Sequence, residues 1–296
     1  MDSNPTLILT IDVEDWFQVE NFKRWIPFSS WSARDLRVER NTERLLDLLE
    51  SRPGRDPHPA AERRGERVRA TFFVLGWIAE RLPRLVRAVH ARGHEVASHG
   101  SAHDLCTALS RRALKEDLTG SKKLLEDLLG TAVCGYRAPS FSISPEILEI
   151  VRECGYRYDS SYNSFAINKR YGSLDLSGKP RRGIALEVAP GFHELPVSNL
   201  EVGRWVVPLG GGGYFRMIPF PLFRLGIQNI LHRHGAYLFY LHPWEIDPGQ
   251  PVVREASLPY RLRHRINLGR SYAKLQALLA TFRGARFSTC SGYLGR

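Results

Sequence analysis

Residues 7–15, LILTIDVED, run from an apolar segment directly into three closely spaced acids. The aliphatic and β-branched residues at 7–11 predict a buried strand. Asp12, Glu14 and Asp15 repel one another, and their burial is unfavourable unless a cation or hydrogen-bond donors lie nearby. Acids at the end of a strand also serve as turn residues and helix caps, so partners elsewhere in the chain must decide between these interpretations.

Strand-like segments alternate with helical patterns along much of the chain. This alternation predicts an α/β fold with a parallel sheet, either open or closed into a barrel. In such folds the residues that follow the strands meet at one edge, where the chemistry takes place. The predicted strands are 7–11, 70–76, 94–98, 156–159, 195–197 and 237–241, and the predicted helices are 42–50, 78–92, 111–129 and 145–153.

Composition and charge narrow the class of protein. The chain has 296 residues, of which 43% are hydrophobic and 25% charged, as in ordinary globular proteins. It shows no signal-peptide pattern and no apolar stretch of the ~20 residues that a membrane span needs. We therefore expect a cytoplasmic protein, with the inner face of the membrane as the alternative. The four cysteines form no CxxC pair and are expected to be reduced thiols.

The net charge of +11 is compatible with an anionic polymer or with peripheral association at a membrane surface. No nucleic-acid-binding motif accompanies it, so we expect no nucleic-acid partner. No feature predicts the oligomeric state. We expect one main domain over residues 1–250 and a helical extension over 251–296 that packs on it. Within the main domain, residues 52–69 are rich in Pro, Gly and Arg and predict a loop, and the less regular residues 169–224 predict an insertion or a cover over the site.

The segment SHGSAHD, residues 98–104, places His99 and His103 four positions apart. On a helical turn this spacing puts both imidazoles on one face, where they can hold one divalent ion. Surface helices carry such pairs without binding a metal, so the pair alone is weak evidence. A catalytic zinc site needs three protein ligands and an open position, and the acids at 12–15 can supply the third ligand.

Several motifs in a fixed order resemble the polysaccharide deacetylases of carbohydrate esterase family 4, whose homology domain is shared with the nodulation chitooligosaccharide deacetylase. The resemblance covers residues 7–247. More narrowly, DVEDWFQV, GGGYFR and FYLHPWEID resemble the subgroup encoded in bacterial exopolysaccharide, exosortase-type (PEP-CTERM) loci. The family motifs are TIDVED at 10–15, ATFFVLG at 70–76, SHGSAH at 98–103, GYRAPSFS at 135–142, GYRYDSS at 155–161 and FYLHPWE at 239–245.

This resemblance implies a single-domain, irregular (β/α)7-type barrel, with residues 1–250 as the catalytic domain. It implies a metal-dependent hydrolase that removes acetyl groups from N-acetylated sugars of a bacterial exopolysaccharide or of its lipid-linked precursor. The expected partner is therefore an acetylated oligo- or polysaccharide substrate. The implied cofactor is a divalent metal, Zn²⁺ first and Co²⁺ as the alternative, which lowers the pKa of a bound water.

The resemblance also implies roles for individual residues. Asp12 matches the general base, His242 the general acid, and Arg137 the arginine that holds the base in position. The expected substrate-binding residues are Ser140 through its backbone N–H, Leu241 in an apolar pocket for the acetyl methyl, Pro139 and Trp244.

The implied metal ligands are His99, His103 and one carboxylate. The usual adjacent Asp pair is replaced here by Asp-Val-Glu-Asp, so Glu14 and Asp15 are alternatives. Relatives with an Asp-x-Asp pattern, among them a peptidoglycan deacetylase and allantoinase-like enzymes, favour Glu14. The acid that tunes the catalytic histidine in many members is not evident after residue 161. Two other functions are kept as alternatives, a metal-independent allantoinase-like cyclic amide hydrolase and a non-catalytic polysaccharide-binding module.

Overall fold

A row of parallel strands forms the centre of the protein. The computed structural model describes residues 4–51, 68–165 and 171–295. The strands are β1 (Thr6–Val13), β2 (Thr71–Val74), β3 (Glu95–Ser98), β4 (Gly135–Tyr136), β5 (Tyr158–Asp159), β6 (Arg181–Arg182), β7 (Ala185–Ala189), β8 (Phe192–Glu194), β9 (Leu200–Val202), β10 (Trp205–Val207), β11 (Ala236–Leu241) and β12 (Arg286–Ser288). The main sheet has the order β11-β1-β2-β3-β4-β5-β8-β7-β6. Neighbours from β11 to β8 are parallel, which confirms the predicted α/β class.

The two ends of the parallel row approach each other. After β8, the N–H of Ser198 donates to the carbonyl of Leu238 in β11 at 3.2 Å, and the Ser198 hydroxyl accepts from the Leu238 N–H at 2.8 Å. Further along β11, the N–H of Tyr240 donates to the carbonyl of Gly210 at 2.7 Å. These bonds join the residues that follow β8 to the opposite end of the row, as expected for an irregular barrel of the (β/α)7 kind.

The opening stretch of the sequence occupies a central place in this row. β1 pairs in parallel with β11 on one side and with β2 on the other, and its residues 7–13 are all buried. Strands covered on both faces carry continuous apolar runs, which explains the composition of this segment. The helices are α1 (Val38–Ser51), α2 (Gly76–Arg81), α3 (Pro83–Ala91), α4 (Arg111–Leu129), α5 (Pro145–Glu153), α6 (Gly212–Met217), α7 (Phe220–His234), α8 (Leu258–Arg265), α9 (Leu268–Thr281) and α10 (Cys290–Leu294).

Some elements differ from the sequence prediction. The single helix predicted over 78–92 is two helices, α2 and α3, separated at Leu82 (φ −125°, ψ 54°). Pro83 causes the break, because it has no N–H to donate and disfavours the helical conformation of the residue before it. α1 begins at Val38, four residues before the predicted start. Of the predicted loop at 52–69, residues 52–67 lie outside the described residues.

The stretch 169–224 is more than an insertion, because it contains β8, one of the parallel strands of the main sheet. The C-terminal residues form α8, α9 and α10 and also β12, which pairs with the start of β1 and was not predicted. Among the described residues, no helix combines the length and the apolar composition that crossing a bilayer requires.

Candidate active site

The predicted site residues follow different strands and meet at the carboxyl end of the parallel row. Asp12 lies near the end of β1, His99 directly after β3, Arg137 directly after β4 and His242 directly after β11. Because these strands are parallel, their carboxyl ends open on the same side of the sheet. Residues more than 200 positions apart in the chain are thereby brought within hydrogen-bonding reach.

A carboxylate and two imidazoles form a group that can hold a metal ion. One ligand atom from each of Glu14, His99 and His103 lies within 4.8 Å of the other two, and all three side chains are buried. Oε2 of Glu14 is 2.9 Å from Nε2 of His103 but has no hydrogen-bond partner in the described part of the chain. A buried carboxylate oxygen without a donor fits a cation. One carboxylate and two imidazoles are also a donor set that suits Zn²⁺.

Hydrogen bonds, burial and neighbouring charges hold these side chains in the orientation and the protonation state that bind a metal. Nδ1 of His99 lies 2.8 Å from the carbonyl oxygen of Arg137, which orients the ring and leaves Nε2 for a ligand. Burial lowers the pKa of His99 to about 4, so the imidazole is neutral at pH 7. Burial by itself raises the pKa of Glu14, but the nearby His103 and His242 outweigh it and lower this pKa to about 2. Neutral imidazole and ionised carboxylate are the forms that bind metal.

The histidine pair does not lie on a helical turn, although its two imidazoles lie close together. Both residues belong to the loop after β3, where Gly100 has φ +73° and His103 has φ +56°. A Cβ at position 100 would lie 2.8 Å from Oδ2 of Asp117, so this position requires glycine for both conformation and space. The second carboxylate oxygen, Oδ1 of Asp117, accepts the N–H of Ser101 at 2.9 Å and holds the loop.

Asp12 is fixed on one side and open on the other. Nη1 of Arg137 donates to its Oδ1 at 2.7 Å, and both side chains are buried. The guanidinium is itself held, because Nε and Nη2 donate to the carbonyl and the hydroxyl of Ser160, each at 2.9 Å. Oδ2 of Asp12 lies 3.9 Å from Nε2 of His242. Asp12 therefore has one oxygen engaged by arginine and the other beside a titratable imidazole.

The acid partner of His242, which was not evident in the sequence, is Glu245. Its Oε2 accepts the backbone N–H of His242 at 3.0 Å and lies 3.0 Å from Nδ1 of the same residue. Its Oε1 accepts Nε of Arg216, a residue of α6, at 2.9 Å. Burial by itself lowers the pKa of His242, but the carboxylates of Glu14 and Glu245 raise it to about 9. The spacing in HPWE is a capping box across one turn, and this pattern could have indicated the pair.

The structure does not place Asp15 in the metal-ligating group. Its Oδ2 accepts the N–H groups of Arg37 and Val38 at 2.6 and 2.8 Å, and its Oδ1 accepts that of Trp16 at 2.8 Å. Burial raises the pKa of Asp15 to about 6, although these hydrogen bonds oppose the rise. Asp15 thus caps the N-terminus of α1. Of the two candidates for the carboxylate ligand, the geometry favours Glu14. The helix-cap interpretation of the opening acids holds for one of the three.

A cavity of about 170 Å³ opens above these groups. Ser140, which has φ +52°, and Trp244 line it, and their roles in substrate binding stay predictions. Leu241 and Pro139 are buried beside it but are not among its lining residues, so the cavity does not support those two assignments. The aromatic side chains that also line it are Phe141, Tyr171, Tyr214 and Tyr240.

Trp244 is held between histidines. Its ring is stacked on that of His264 with centroids 4.2 Å apart and planes inclined by 18°. Its ring is also nearly parallel to that of His242, at 5.2 Å and 20°. Because both contacts use ring faces, Trp244 packs against the imidazole of His242 and is less suited to stack on a sugar.

Comparison with known proteins agrees with this arrangement. Residues 64–158 match the family model for polysaccharide deacetylase, and residues 160–294 match a domain of unknown function (DUF3473). A peptidoglycan-N-acetylglucosamine deacetylase of Bacillus cereus is 30% identical over 116 residues, 39% of this chain and 47% of the relative. A chitooligosaccharide deacetylase of Sinorhizobium fredii is 34% identical over 90 residues, 30% of this chain and 42% of the relative.

The whole fold also has a solved counterpart. The crystal structure of a Mycobacterium smegmatis protein, provisionally assigned as a polysaccharide deacetylase, has a TM-score of 0.62 at 20% identity and covers 99% of this chain and 90% of that one. The chain thus shares the fold of that structure, and its residues 64–158 resemble the polysaccharide deacetylase family. It spans less than half of the length of the curated relatives it matches.

Proposed function

We propose that the protein is a metal-dependent hydrolase that removes acetyl groups from N-acetylated sugar residues of a polysaccharide. The observation that carries this proposal is that the Glu14–His99–His103 group, Asp12 and His242 all line one cavity. The parts are those that hydrolysis of an amide requires, namely a metal site, a base and an acid. We place this catalytic unit within residues 1–250, with 251–296 packed on it.

Glu14, His99 and His103 would hold the metal, with Zn²⁺ first and Co²⁺ as the alternative. When bound, such an ion supplies Lewis-acid chemistry that polarises an acetyl carbonyl and acidifies water. The orphaned oxygen of Glu14 and the neutral His99 both support this assignment over a metal-independent cyclic amide hydrolase.

Asp12 and His242 transfer the protons of the reaction. Asp12 accepts the proton of the attacking water through the oxygen that Arg137 leaves free. His242 donates a proton to the sugar nitrogen as its bond to the acetyl carbon breaks, which yields acetate and a free amine. Glu245 positions His242. Ser140 lines the cavity, and we assign to its backbone N–H the stabilisation of the developing oxyanion.

The substrate class rests on two supports. Both relatives described above bear names of deacetylases acting on N-acetylglucosamine-containing polymers or oligomers. The motifs DVEDWFQV, GGGYFR and FYLHPWEID point further to a bacterial exopolysaccharide or its lipid-linked precursor.

Acetate release from acetylated oligosaccharides tests the proposal. We expect release by the purified protein, loss after chelation, recovery on addition of Zn²⁺ or Co²⁺, and loss in Asp12→Asn. The control Asp47→Asn removes an equivalent carboxylate, which pairs with Arg92 on the surface, and should retain activity. Metal-independent hydrolysis of a cyclic amide would favour the allantoinase-like alternative. Absence of any hydrolysis by protein that binds acetylated sugar would favour a binding module.

A further inference from the structure

Helix α8 carries an apolar stripe that faces solvent. Leu258, Leu262 and Ile266 follow one another at four-residue intervals and are 57%, 62% and 40% exposed. Leu258 and Leu262 thus share one face of α8, and Ile266 directly follows its last residue. Of the residues of α8, only His264 is buried. Large aliphatic side chains aligned on an exposed face are typical of a surface that binds a partner.

This stripe borders the mouth of the candidate active site. Arg263 and His264 of the same helix line the cavity. Nη1 of Arg216 donates to the carbonyl oxygens of His264 and Ile266 at 3.0 and 2.6 Å, which fixes the end of α8 beside α6. The next residue of α6, Met217, also lines the cavity and is 39% exposed. Met217 thus adds a fourth exposed apolar side chain at the mouth.

The same helix is strongly basic. Arg261, Arg263 and Arg265 alternate with its other residues, and none of them forms an ion pair with a carboxylate in the described residues. Arg265 donates instead to the carbonyl oxygens of Gln250 and Pro248. The positive charges of these three arginines are therefore not compensated by carboxylates within the described part of the protein.

We propose that α8 and Met217 form a docking face for a bilayer with anionic lipid headgroups. Helices that lie in a membrane interface combine leucines that enter the bilayer with arginines that contact the headgroups. Each arginine near an anionic surface adds to the attraction between the helix and the bilayer. Tyr260 of the same helix packs edge-on against Trp25 at 5.8 Å, and these two residue types favour the interfacial region.

Charge and exposed apolar surface together favour a bilayer over the other candidate partners. Association with a second copy through α8 would bring two sets of uncompensated arginines together, which is unfavourable. An anionic polysaccharide would satisfy the arginines but would leave the leucines in water. A bilayer with anionic headgroups satisfies both. Docking in this way sets the cavity mouth beside the membrane surface, which, on the proposed function, is where a lipid-linked sugar would be presented.

Vesicle sedimentation of the full chain tests the docking face without any substrate, so its outcome is independent of the deacetylase proposal. We expect binding to phosphatidylcholine vesicles containing about 30% phosphatidylglycerol and at least roughly tenfold weaker binding to phosphatidylcholine alone. Raising salt from about 0.1 to about 0.5 M should weaken binding, because it screens the arginines. Leu262→Gln/Ile266→Gln should weaken binding by at least about tenfold while the melting temperature is retained.

The matched control is Arg84→Gln/Arg87→Gln, which removes two exposed charges of α3 that form no ion pair in the described residues, to be compared with Arg261→Gln/Arg263→Gln. Only the second pair should reduce binding more than about fivefold. Equal losses in both pairs would mean non-specific attraction and would overturn the proposal. So would the absence of binding to anionic vesicles, or a dimer in solution that Leu262→Gln/Ile266→Gln dissociates.

Discussion

Replacing Glu245 with glutamine tests the role of a site residue that the sequence analysis did not predict. The carboxylate uses one oxygen for Arg216 and the other for the backbone N–H and Nδ1 of His242. Glutamine keeps the shape but has a single acceptor oxygen. One partner, the guanidinium or the imidazole, must then face an amide NH₂ group.

The size of the effect follows from the bond that is lost. A charge-assisted hydrogen bond contributes about 1.5–3 kcal/mol. If that bond orients His242 in the transition state, its loss lowers kcat by roughly 10- to 200-fold. KM should change little, because Glu245 is only 1% exposed, although it is among the residues that line the cavity. Because glutamine is neutral, the buried Arg216 loses its counter-charge in either orientation, which should also lower the free energy of unfolding by about 3 kcal/mol.

Steady-state deacetylation and thermal unfolding should be measured on the same preparations. Glu95→Gln is the matched control, since Glu95 also accepts several hydrogen bonds, from Thr71, Tyr158 and Ser291, but at the opposite end of β3. It should lose stability and keep its kcat. A folded Glu245→Gln protein with kcat within about threefold of the unmodified enzyme would refute the positioning role.

Three further experiments test other parts of the structure. Asp15→Asn should lower the free energy of unfolding by about 1–2 kcal/mol and leave zinc content unchanged, whereas Glu14→Gln should lose the metal; unfolding curves and elemental analysis separate the two. Gly100→Ala should destabilise the fold by at least about 1 kcal/mol in denaturant titrations, because φ is +73° and the new Cβ meets a carboxylate. Burial lowers the pKa of His94 to about 4, so its neutral form stabilises the fold above pH ~6.5, and this stabilisation is lost as pH falls towards 4. Between pH 7.5 and 5 the loss should be about 2 kcal/mol, and His94→Gln should flatten that dependence in urea titrations at the two pH values.

The sequence predicted the parts of the site that follow strands. Asp12, His99, Arg137 and His242 each come directly at or after a strand-like run, and parallel strands must bring such positions together. The sequence could not separate Glu14 from Asp15, because spacing alone does not show which carboxylate accepts the N–H groups of α1. That distinction depends on residues 37 and 38, which lie in a different element.

Local conformation was harder to predict than position. A spacing of four residues brings two side chains together on a helical turn. His99 and His103 instead lie close together because the loop that carries them has two positive φ angles. The loop is held by Asp117 of α4, a contact that no periodicity in the loop itself encodes. The sequence therefore did not predict the loop conformation that brings the two imidazoles together.

The site is also divided among parts of the chain that resemble different families. His99, His103 and Arg137 lie in the stretch matched by polysaccharide deacetylase, while His242 and Glu245 lie in the stretch of unknown function. Asp12 and Glu14 precede both, so neither stretch contains a complete site. Within the second stretch, the chain His242–Glu245–Arg216 ends on carbonyls of residues 264 and 266, which ties the imidazole to the C-terminal helices. On the proposed function, the stretch 160–294 therefore supplies the acid His242 and its carboxylate partner Glu245, together with the parallel strands β8 and β11.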